Sequence, residues 1–481
     1  PISSPPGRGT IDPSNPPIYY KTSKQLSDSY GMGQLGRANL LLHHLKKLKD
    51  EFTFGTTLKL QNNIGLLGHS RGGEAVVIAS RLIKNKGVST PPDITGVDNL
   101  NALISLAPSD QSDVEYLAED TPYLVIYGSK DGDISGSRIL KKKNAITGNL
   151  ELTVRGTGFS LWDRANGQEK SMLFVHGATH NGFVTLNEDD YNRGGIGGTA
   201  LGAGLNPNDH VENEVNQKTI LDAYVNAWFR LHLKNETFWR PIFKGDWVPI
   251  SSRFKKTDMN IQYKVKAANG LGSSIVKNYE GVADDPVLDN DGATGILGIL
   301  EKPSYPTFVK ADYMPAHAKR ADTLWSIDSR VEGFSAHGTR SILLDLSLGS
   351  TYTAGTLLNL NVSAYQVISF RIAKVFDMPI DLTSTYGTSK PAPHFTGSIL
   401  PFADLSNLKI KIDGIEIKVT EKIPDPYRRW DATEYSKSTM KTVRIPLSQF
   451  VGINLNNVNE VIFEFNTKSG LVILDDIEFV N

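Results

Sequence analysis

One short run of residues has the composition of a nucleophilic turn. Gly68-His69-Ser70-Arg71-Gly72 follows the pattern G-x-S-x-G, with the apolar segment Asn63–Leu67 before it and the helical pattern Gly73–Ile83 after it. A serine on such a strand-to-helix turn presents its hydroxyl away from the sheet. The next backbone N–H, that of Arg71, is expected at a helix N-terminus, where it can donate to a developing oxyanion. The pattern therefore predicts a nucleophile at Ser70, and the alternative is a glycine-rich turn with an incidental serine.

Two aspartates follow a second apolar segment, Tyr123–Tyr127. They are Asp131 and Asp133, in the run Gly-Ser-Lys-Asp-Gly-Asp. An acid just beyond the carboxyl end of a sheet strand is in position to orient a catalytic base at the same edge. Asp131 is the first choice for this role and Asp133 the second. The alternative for both is turn formation, since Asp-Gly favours tight turns.

Two histidines follow a third apolar segment, Met172–Val175. His180 falls in a glycine-rich loop, as expected of a general base. His176 stands at the strand end, where a buried structural histidine is the better interpretation. The order Ser70, Asp131, His180 is the nucleophile–acid–base order of one large hydrolase superfamily.

These three motifs together resemble the α/β-hydrolase superfamily over roughly residues 35–235. The likeness is to secreted bacterial esterases and lipases of the dienelactone-hydrolase-like and platelet-activating-factor-acetylhydrolase-like kind. It rests on the runs Gly68-His69-Ser70-Arg71-Gly72-Gly73-Glu74, Gly128-Ser129-Lys130-Asp131-Gly132-Asp133 and Gly177-Ala178-Thr179-His180-Asn181-Gly182-Phe183. The resemblance implies that Ser70 is the nucleophile, His180 the base and Asp131 the acid, and that no cofactor is needed.

The chain departs from that family upstream of the nucleophile. Members have several strands and a His-Gly oxyanion loop before it, whereas only 69 residues precede Ser70 here. We therefore expect the N-terminal strands of the sheet to be missing from this sequence, or to come from another fragment or a second chain. Without them the sheet would have an unpaired edge and an incomplete oxyanion hole.

Composition and periodicity divide the chain into three parts. Residues 1–34 are rich in Pro, Ser and Gly and are predicted to be irregular. Residues 35–244 alternate short apolar strands with amphipathic helices, the last over Asn216–Lys234, which predicts a mostly parallel sheet with helices on both faces. Residues 245–481 predict an all-β sandwich or jelly roll. The strands predicted there are Ile261–Val265, Ser341–Leu346, Leu357–Val362, Val367–Val375, Leu408–Ile412, Ile415–Val419, Lys441–Ile445, Val461–Phe465 and Leu471–Phe479.

The C-terminal part resembles the jelly-roll, carbohydrate-binding modules that accompany secreted polysaccharide-acting enzymes. The resemblance makes a polysaccharide or polymer surface a possible partner. Exposed aromatics would carry such binding, and the candidates are Tyr427, Trp430 and Tyr435, for which a packing role is the alternative. Asp475 and Asp476 end a strand and are candidate ligands for a structural Ca²⁺, with ordinary soluble turns as the alternative.

Composition excludes several classes of function. The formal net charge is −1, which argues against nucleic-acid binding through a basic field. The chain has no cysteine, so it has neither disulfides nor a thiol nucleophile. It has no apolar run long enough to span a membrane. The sequence begins at Pro1 without an initiator Met, from which we expect a processed or truncated, exported bacterial protein.

Together these features predict a secreted serine hydrolase that cleaves carboxylic esters. Two alternatives stay open. The first is a polysaccharide- or polyester-directed esterase that its β-domain docks to the polymer. The second is a structural or adhesive protein built on an inactive hydrolase scaffold.

Overall fold

The structure of this protein is a computed structural model. The described residues are 29–51, 63–84, 100–110, 112, 116–129, 131, 134, 138–143, 150–184, 214–247, 259–265, 274–277, 342–346, 351–375, 402–425, 439–467 and 469–481. Tyr427, Trp430, Tyr435 and Asp133 lie outside these ranges. Within the described ranges, no helix is both long and apolar enough to cross a membrane.

The described residues form α-helices and β-strands that alternate in the first half of the chain and are almost all strands in the second. The helices are α1 (Ser29–Glu51), α2 (Arg71–Lys84), α3 (Gly158–Arg164), α4 (Glu214–Leu233) and α5 (Arg240–Lys244). The strands are β1 (Gly65–His69), β2 (Ala102–Leu106), β3 (Ser109–Asp110), β4 (Tyr123–Gly128), β5 (Arg138–Lys143), β6 (Leu150–Thr157), β7 (Glu169–Val175), β8 (Met259–Val265), β9 (Ser274–Lys277), β10 (Ile342–Asp345), β11 (Thr351–Gly355), β12 (Val367–Val375), β13 (Lys409–Ile412), β14 (Ile415–Lys418), β15 (Lys441–Pro446), β16 (Val461–Glu464) and β17 (Leu471–Val480).

A mixed sheet organises the first half of the chain. Its strand order is β1-β2-β4-β7-β8, parallel from β1 to β7 and antiparallel between β7 and β8. Every residue of β2, β4 and β7 is buried, as expected where helices cover both faces. Helices α1, α2 and α3 pack on one face, and α4 and α5 pack on the other. This arrangement agrees in outline with the predicted α/β part of the chain.

Strand β8 does not lie where the sequence pattern placed it. Ile261–Val265 was predicted to be the first strand of the β-sandwich, but β8 pairs with β7 along its whole length, from Glu169 opposite Val265 to Val175 opposite Met259. A short amphipathic strand carries no signal of which sheet it joins, because its backbone hydrogen bonds fit either partner. The mixed sheet thus includes residues beyond the boundary predicted at 244/245.

Helix α1 begins at Ser29, six residues before the predicted start at Leu35. The prediction was wrong because Gly31, Gly33 and Gly36 lower the helix propensity of this segment. A tertiary contact opposes that cost: the fully buried Gln34 donates from Nε2 to Glu74 Oε2 at 3.2 Å. Packing therefore overrides local propensity at the start of this helix.

Separate antiparallel sheets form the second half of the chain, in agreement with the coarse prediction. One has the order β10-β17-β12-β15 with β9 beside β17, and the other has the order β11-β16-β13-β14. Their apolar side chains share one core. The turn at Asp413-Gly414 joins β13 to β14, with left-handed φ angles of 47° and 81°.

The strand predicted over Leu357–Val362 is wrong. Leu357 and Asn359 have φ angles of 55° and 51°, so the chain turns twice and makes only an isolated bridge between Leu360 and Val458. The strand of this region is β11, at Thr351–Gly355, which pairs with β16. Positive φ is rare outside glycine, so the alternating apolar residues gave no reason to expect left-handed backbone at Leu357 and Asn359.

Polar contacts join the mixed sheet to the antiparallel sheets through β8. Asn260 donates from Nδ2 to the carbonyl and the hydroxyl of Thr439, both at 3.1 Å. The backbone N–H of Tyr263 donates to Thr442 Oγ1 at 3.0 Å. Buried polar groups are stable only when they are paired in this way. The mixed sheet is therefore in specific contact with the antiparallel sheet that contains β15.

A buried ion cluster lies beside this contact. Arg371 on β12 pairs with Asp475, and its Nε lies 2.9 Å from Asp476 Oδ2. Lys264 on β8 lies 2.7 Å from the other oxygen of Asp476. Desolvation by burial raises the pKa of Asp476, but the charges of Lys264 and Arg371 outweigh this effect. The pKa of Asp476 therefore stays well below its usual range. The expectation that Asp475 and Asp476 end a strand is wrong, because both lie inside β17. Both candidate Ca²⁺ ligands face protein cations there, an arrangement that disfavours a further cation at these residues.

Breaking this cluster from one side will destabilise the protein strongly. Arg371→Ala leaves the carboxylates of Asp475 and Asp476 with too few cations, so we expect the free energy of unfolding to fall by about 3–5 kcal/mol. Lys409→Ala, which breaks an exposed pair with Glu416, is the matched control and should cost about 0–1 kcal/mol. Urea denaturation of both variants measures the difference. Equal losses would contradict the assignment of a structural role to the buried cluster.

Candidate active site

Ser70 occupies a strained turn between β1 and α2. Its φ angle is 56°, in the left-handed region that serine rarely adopts, which costs on the order of 1–3 kcal/mol. Its backbone is held on both sides: the N–H donates to Leu106 O at 2.9 Å, and the carbonyl accepts from Gly73 N at 2.9 Å. Strain of this kind persists only when surrounding structure imposes it, and it is a mark of functional sites.

Two glycines permit the turn, Gly68 and Gly73, and only Gly68 belongs to the G-x-S-x-G pattern. A Cβ atom on Gly68 would lie 2.0 Å from Gly72 O, and one on Gly73 would lie 2.7 Å from Pro108 Cβ. A Cβ on Gly72 would meet nothing within 4 Å. The close approach of α2 to the end of β1 therefore depends on Gly68, and its close approach to the segment after β2 depends on Gly73, whereas Gly72 is sterically dispensable.

These clearances predict an asymmetric response to alanine. Gly68→Ala forces a Cβ into backbone, so we expect it to distort the turn and to remove any reactivity of Ser70. Gly73→Ala should act in the same direction, because Pro108 is rigid. Gly72→Ala, the matched control, should preserve reactivity and the melting temperature. Labelling of Ser70 by a fluorophosphonate measures reactivity, and a Gly72→Ala variant as damaged as Gly68→Ala would refute this account.

Asp131 and His180 form a buried pair at the carboxyl ends of adjacent strands. His180 Nδ1 lies 2.8 Å from Asp131 Oδ2, and both side chains are almost completely buried. The other carboxylate oxygen accepts from the backbone N–H of Ile134 at 2.7 Å. With Nδ1–H donating to the carboxylate, His180 Nε2 is left as a proton acceptor. The geometry favours Asp131 as the partner of this histidine.

The loop that carries His180 is fixed from two sides. Gly177 N donates to Ser129 Oγ at 2.7 Å, which ties this loop to the one that carries Asp131. Gln217 on α4 exchanges two hydrogen bonds with the backbone of Thr179, accepting at 3.1 Å and donating at 2.9 Å. A loop held in this manner fixes the position of the His180 imidazole.

His176 has the structural role that its position at the strand end predicts. It is buried, and its Nε2 lies 2.9 Å from the side-chain oxygen of Asn260 on β8. Asn260 in turn contacts Thr439, as described above. His176 therefore connects the end of β7 to the antiparallel sheets.

His69 belongs to the site, and sequence reasoning missed it. Its Nε2 lies 3.0 Å from the carbonyl oxygen of His180, and the centroids of the two imidazole rings are 4.7 Å apart. A carbonyl only accepts, so His69 donates from Nε2. Because Ser70 follows His69 directly, this contact brings the loop of His180 to the nucleophile turn. The only signal in the sequence was its position inside the motif.

Burial next to His180 lowers the pKa of His69 to about 4. The unfolded chain, with a histidine pKa of about 6.5, binds more protons than the folded protein between these two values. Folding stability therefore falls as the pH drops through this window, by up to ~1.4 kcal/mol per pH unit. His69→Gln keeps a donor but does not titrate, so its unfolding free energy should fall less between pH 6.5 and 4. Parallel losses in urea titrations of the two proteins would contradict this.

The remaining predicted site residue is Arg71, the first residue of α2. Its backbone N–H is among the four N-terminal donors of the helix that have no partner within the helix. Its side chain is exposed, so only the backbone group faces the chemistry predicted at Ser70. Among the described residues, no group of three or more His, Cys, Asp or Glu side chains is arranged to hold a metal ion.

The structure thus brings together a strained serine, a donor at a helix N-terminus and a buried histidine–carboxylate pair. Ser70, Asp131 and His180 follow the carboxyl ends of β1, β4 and β7, three parallel strands of one sheet whose order is β1-β2-β4-β7. No protein-family model matches the chain, and no curated protein matches it at a significant level. The case for a function therefore rests on the geometry of these residues.

Proposed function

We propose that this chain is a serine hydrolase that cleaves carboxylic esters through an acyl-enzyme, on an α/β-hydrolase fold. The observation that carries the proposal is the left-handed Ser70 on a strand-to-helix turn, together with a buried histidine–aspartate pair whose His180 carbonyl accepts from the adjacent His69. A simple glycine-rich turn would require neither the strain nor the pair. No cofactor is required for this chemistry.

The reaction would proceed in two displacements. Ser70 Oγ attacks the ester carbonyl while His180 Nε2 takes its proton, and the N–H of Arg71 donates to the oxyanion. Collapse of the tetrahedral intermediate breaks the bond to the alcohol, which leaves with the proton from His180. Water then attacks the carbonyl of the acyl-enzyme, with His180 again taking and returning the proton, which releases the carboxylic acid and regenerates Ser70. Asp131 holds the imidazole in the required tautomer throughout.

The alternatives gain less support. Polymer docking by exposed aromatics rested on Tyr427, Trp430 and Tyr435, for which the described residues provide no observation. An inactive scaffold does not explain the backbone strain at Ser70, a kind of strain that clusters at active sites. Export from a bacterial cell stays a prediction.

Fluorophosphonate labelling followed by peptide mapping tests the proposal. We expect a single adduct on Ser70 in the wild-type protein and none in Ser70→Ala. Asp131→Asn should lower the rate of p-nitrophenyl acetate hydrolysis roughly 10⁴-fold, the effect of a wrong imidazole tautomer in a serine triad. Ser80→Ala is the matched control, because Ser80 is a buried serine on α2 whose hydroxyl has no hydrogen-bond partner within the described residues.

A folded wild-type protein without an adduct would refute the proposal, and an inactive scaffold would become the better interpretation. Hydrolysis that persists in Ser70→Ala at the wild-type rate would place the activity elsewhere. Asp131→Asn with wild-type activity would remove the aspartate from the assignment and leave Asp133 as its replacement.

A further inference from the structure

A buried carboxylate lies one helical turn beyond the nucleophile. Glu74, in the first turn of α2, is 1% exposed. Its Oε2 accepts hydrogen bonds from Ser109 Oγ at 3.0 Å and from Gln34 Nε2 at 3.2 Å. Its Oε1 accepts from the backbone N–H of Ser112 at 2.8 Å. One side chain thereby joins α2 to helix α1 and to the segment that follows β2.

That segment is also in contact with Ser70. The backbone N–H of Ser109 donates to Ser70 O at 3.3 Å. On β2 itself, the hydroxyl of Ser105 donates to Gly73 O at 2.8 Å. Pro108 packs against Gly73 so closely that no Cβ fits between them. Ser109 therefore contacts the nucleophile with its backbone and Glu74 with its side chain.

The placement of Glu74 also suits its charge. A carboxylate in the first turn of a helix interacts favourably with the helix dipole. A buried carboxylate without donors would be costly, and here side chains and backbone from two other elements supply them. Removing Glu74 would leave the Ser112 N–H and the Gln34 amide without this acceptor, and it would free the segment that supports Ser70.

We propose that Glu74 is a positioning residue for the nucleophile turn, acting through Ser109 to hold Ser70 in its left-handed conformation. The inference rests on the proposed function, since it assigns to Glu74 the orientation of the attacking hydroxyl and of the Arg71 N–H. Glu74 touches neither a reacting atom nor the substrate in this role. Its effect is on the rate of acylation and not on the protonation of His180.

The test measures acylation per active site in Glu74 variants. Fluorophosphonate titration counts reactive Ser70, and kcat and KM for p-nitrophenyl acetate are then referred to that count. We expect Glu74→Ala to lower kcat about 10²-fold, the effect of a small misplacement of a reacting group. KM and the pH profile should not change. Glu74→Gln should restore much of kcat, because its carbonyl accepts from Ser112 N and its amide can donate to Ser109 Oγ.

Ser109→Ala keeps the backbone contact to Ser70 and removes only the hydroxyl, so a smaller loss in the same direction is expected. Ser80→Ala, an equally buried serine on α2, should keep wild-type kcat. If Glu74→Ala does not fold, Ser109→Ala against Ser80→Ala decides the matter alone.

The outcomes separate the two hypotheses. A wild-type protein that does not react with the probe at Ser70 refutes the proposed function, and the positioning role falls with it. A reactive wild-type protein with unchanged kcat per labelled site in both Glu74→Ala and Ser109→Ala overturns the positioning role alone. A variant that only loses labelled sites, with normal kcat in those that remain, shows a purely structural role and also overturns it.

Discussion

The left-handed backbone of Ser70 is the constraint on which the rest of the site depends. A serine adopts φ of 56° only if its neighbours leave no other conformation. Here the neighbours are Gly68 and Gly73, which allow the turn to close, and Leu106, whose carbonyl receives the Ser70 N–H. The same closure places the start of α2 beside the serine. The strain therefore arises from packing between α2, β1 and the segment after β2, and it is not a local property of the motif.

The parallel sheet brings the other residues of the site to the same edge as Ser70. Because β1, β2, β4 and β7 run in one direction, their carboxyl ends meet at one edge, and the residues that follow them become neighbours. Asp131 and His180 are 49 positions apart in sequence yet lie 2.8 Å apart at their polar atoms. The pairing of His69 with the carbonyl of His180 then joins the base loop to the nucleophile turn.

Much of this arrangement was predictable from the sequence, and the failures have physical reasons. Short apolar segments bounded by turn residues identified β4 and the apolar half of β7, since strands buried on both faces are mostly apolar. The pattern also identified Ser70, Asp131 and His180, whose roles remain to be tested. It could not identify Glu74 or His69, because a buried polar residue shows its partners only in three dimensions. The sheet to which β8 belongs and the left-handed Leu357 depend in the same way on tertiary contacts.

The position of β8 has a consequence for how this protein can be divided. A truncation after residue 244 would remove β8 and expose the full edge of β7, seven residues of unpaired backbone in a buried strand. Unprotected edges of that kind recruit strands from other molecules. A fragment that begins at residue 251 would carry the complementary strand, with its inward-facing Ile261 deprived of its core. Soluble halves would therefore require a cut on the C-terminal side of Val265, and the N-terminal fragment would still expose Lys264 without the carboxylate of Asp476.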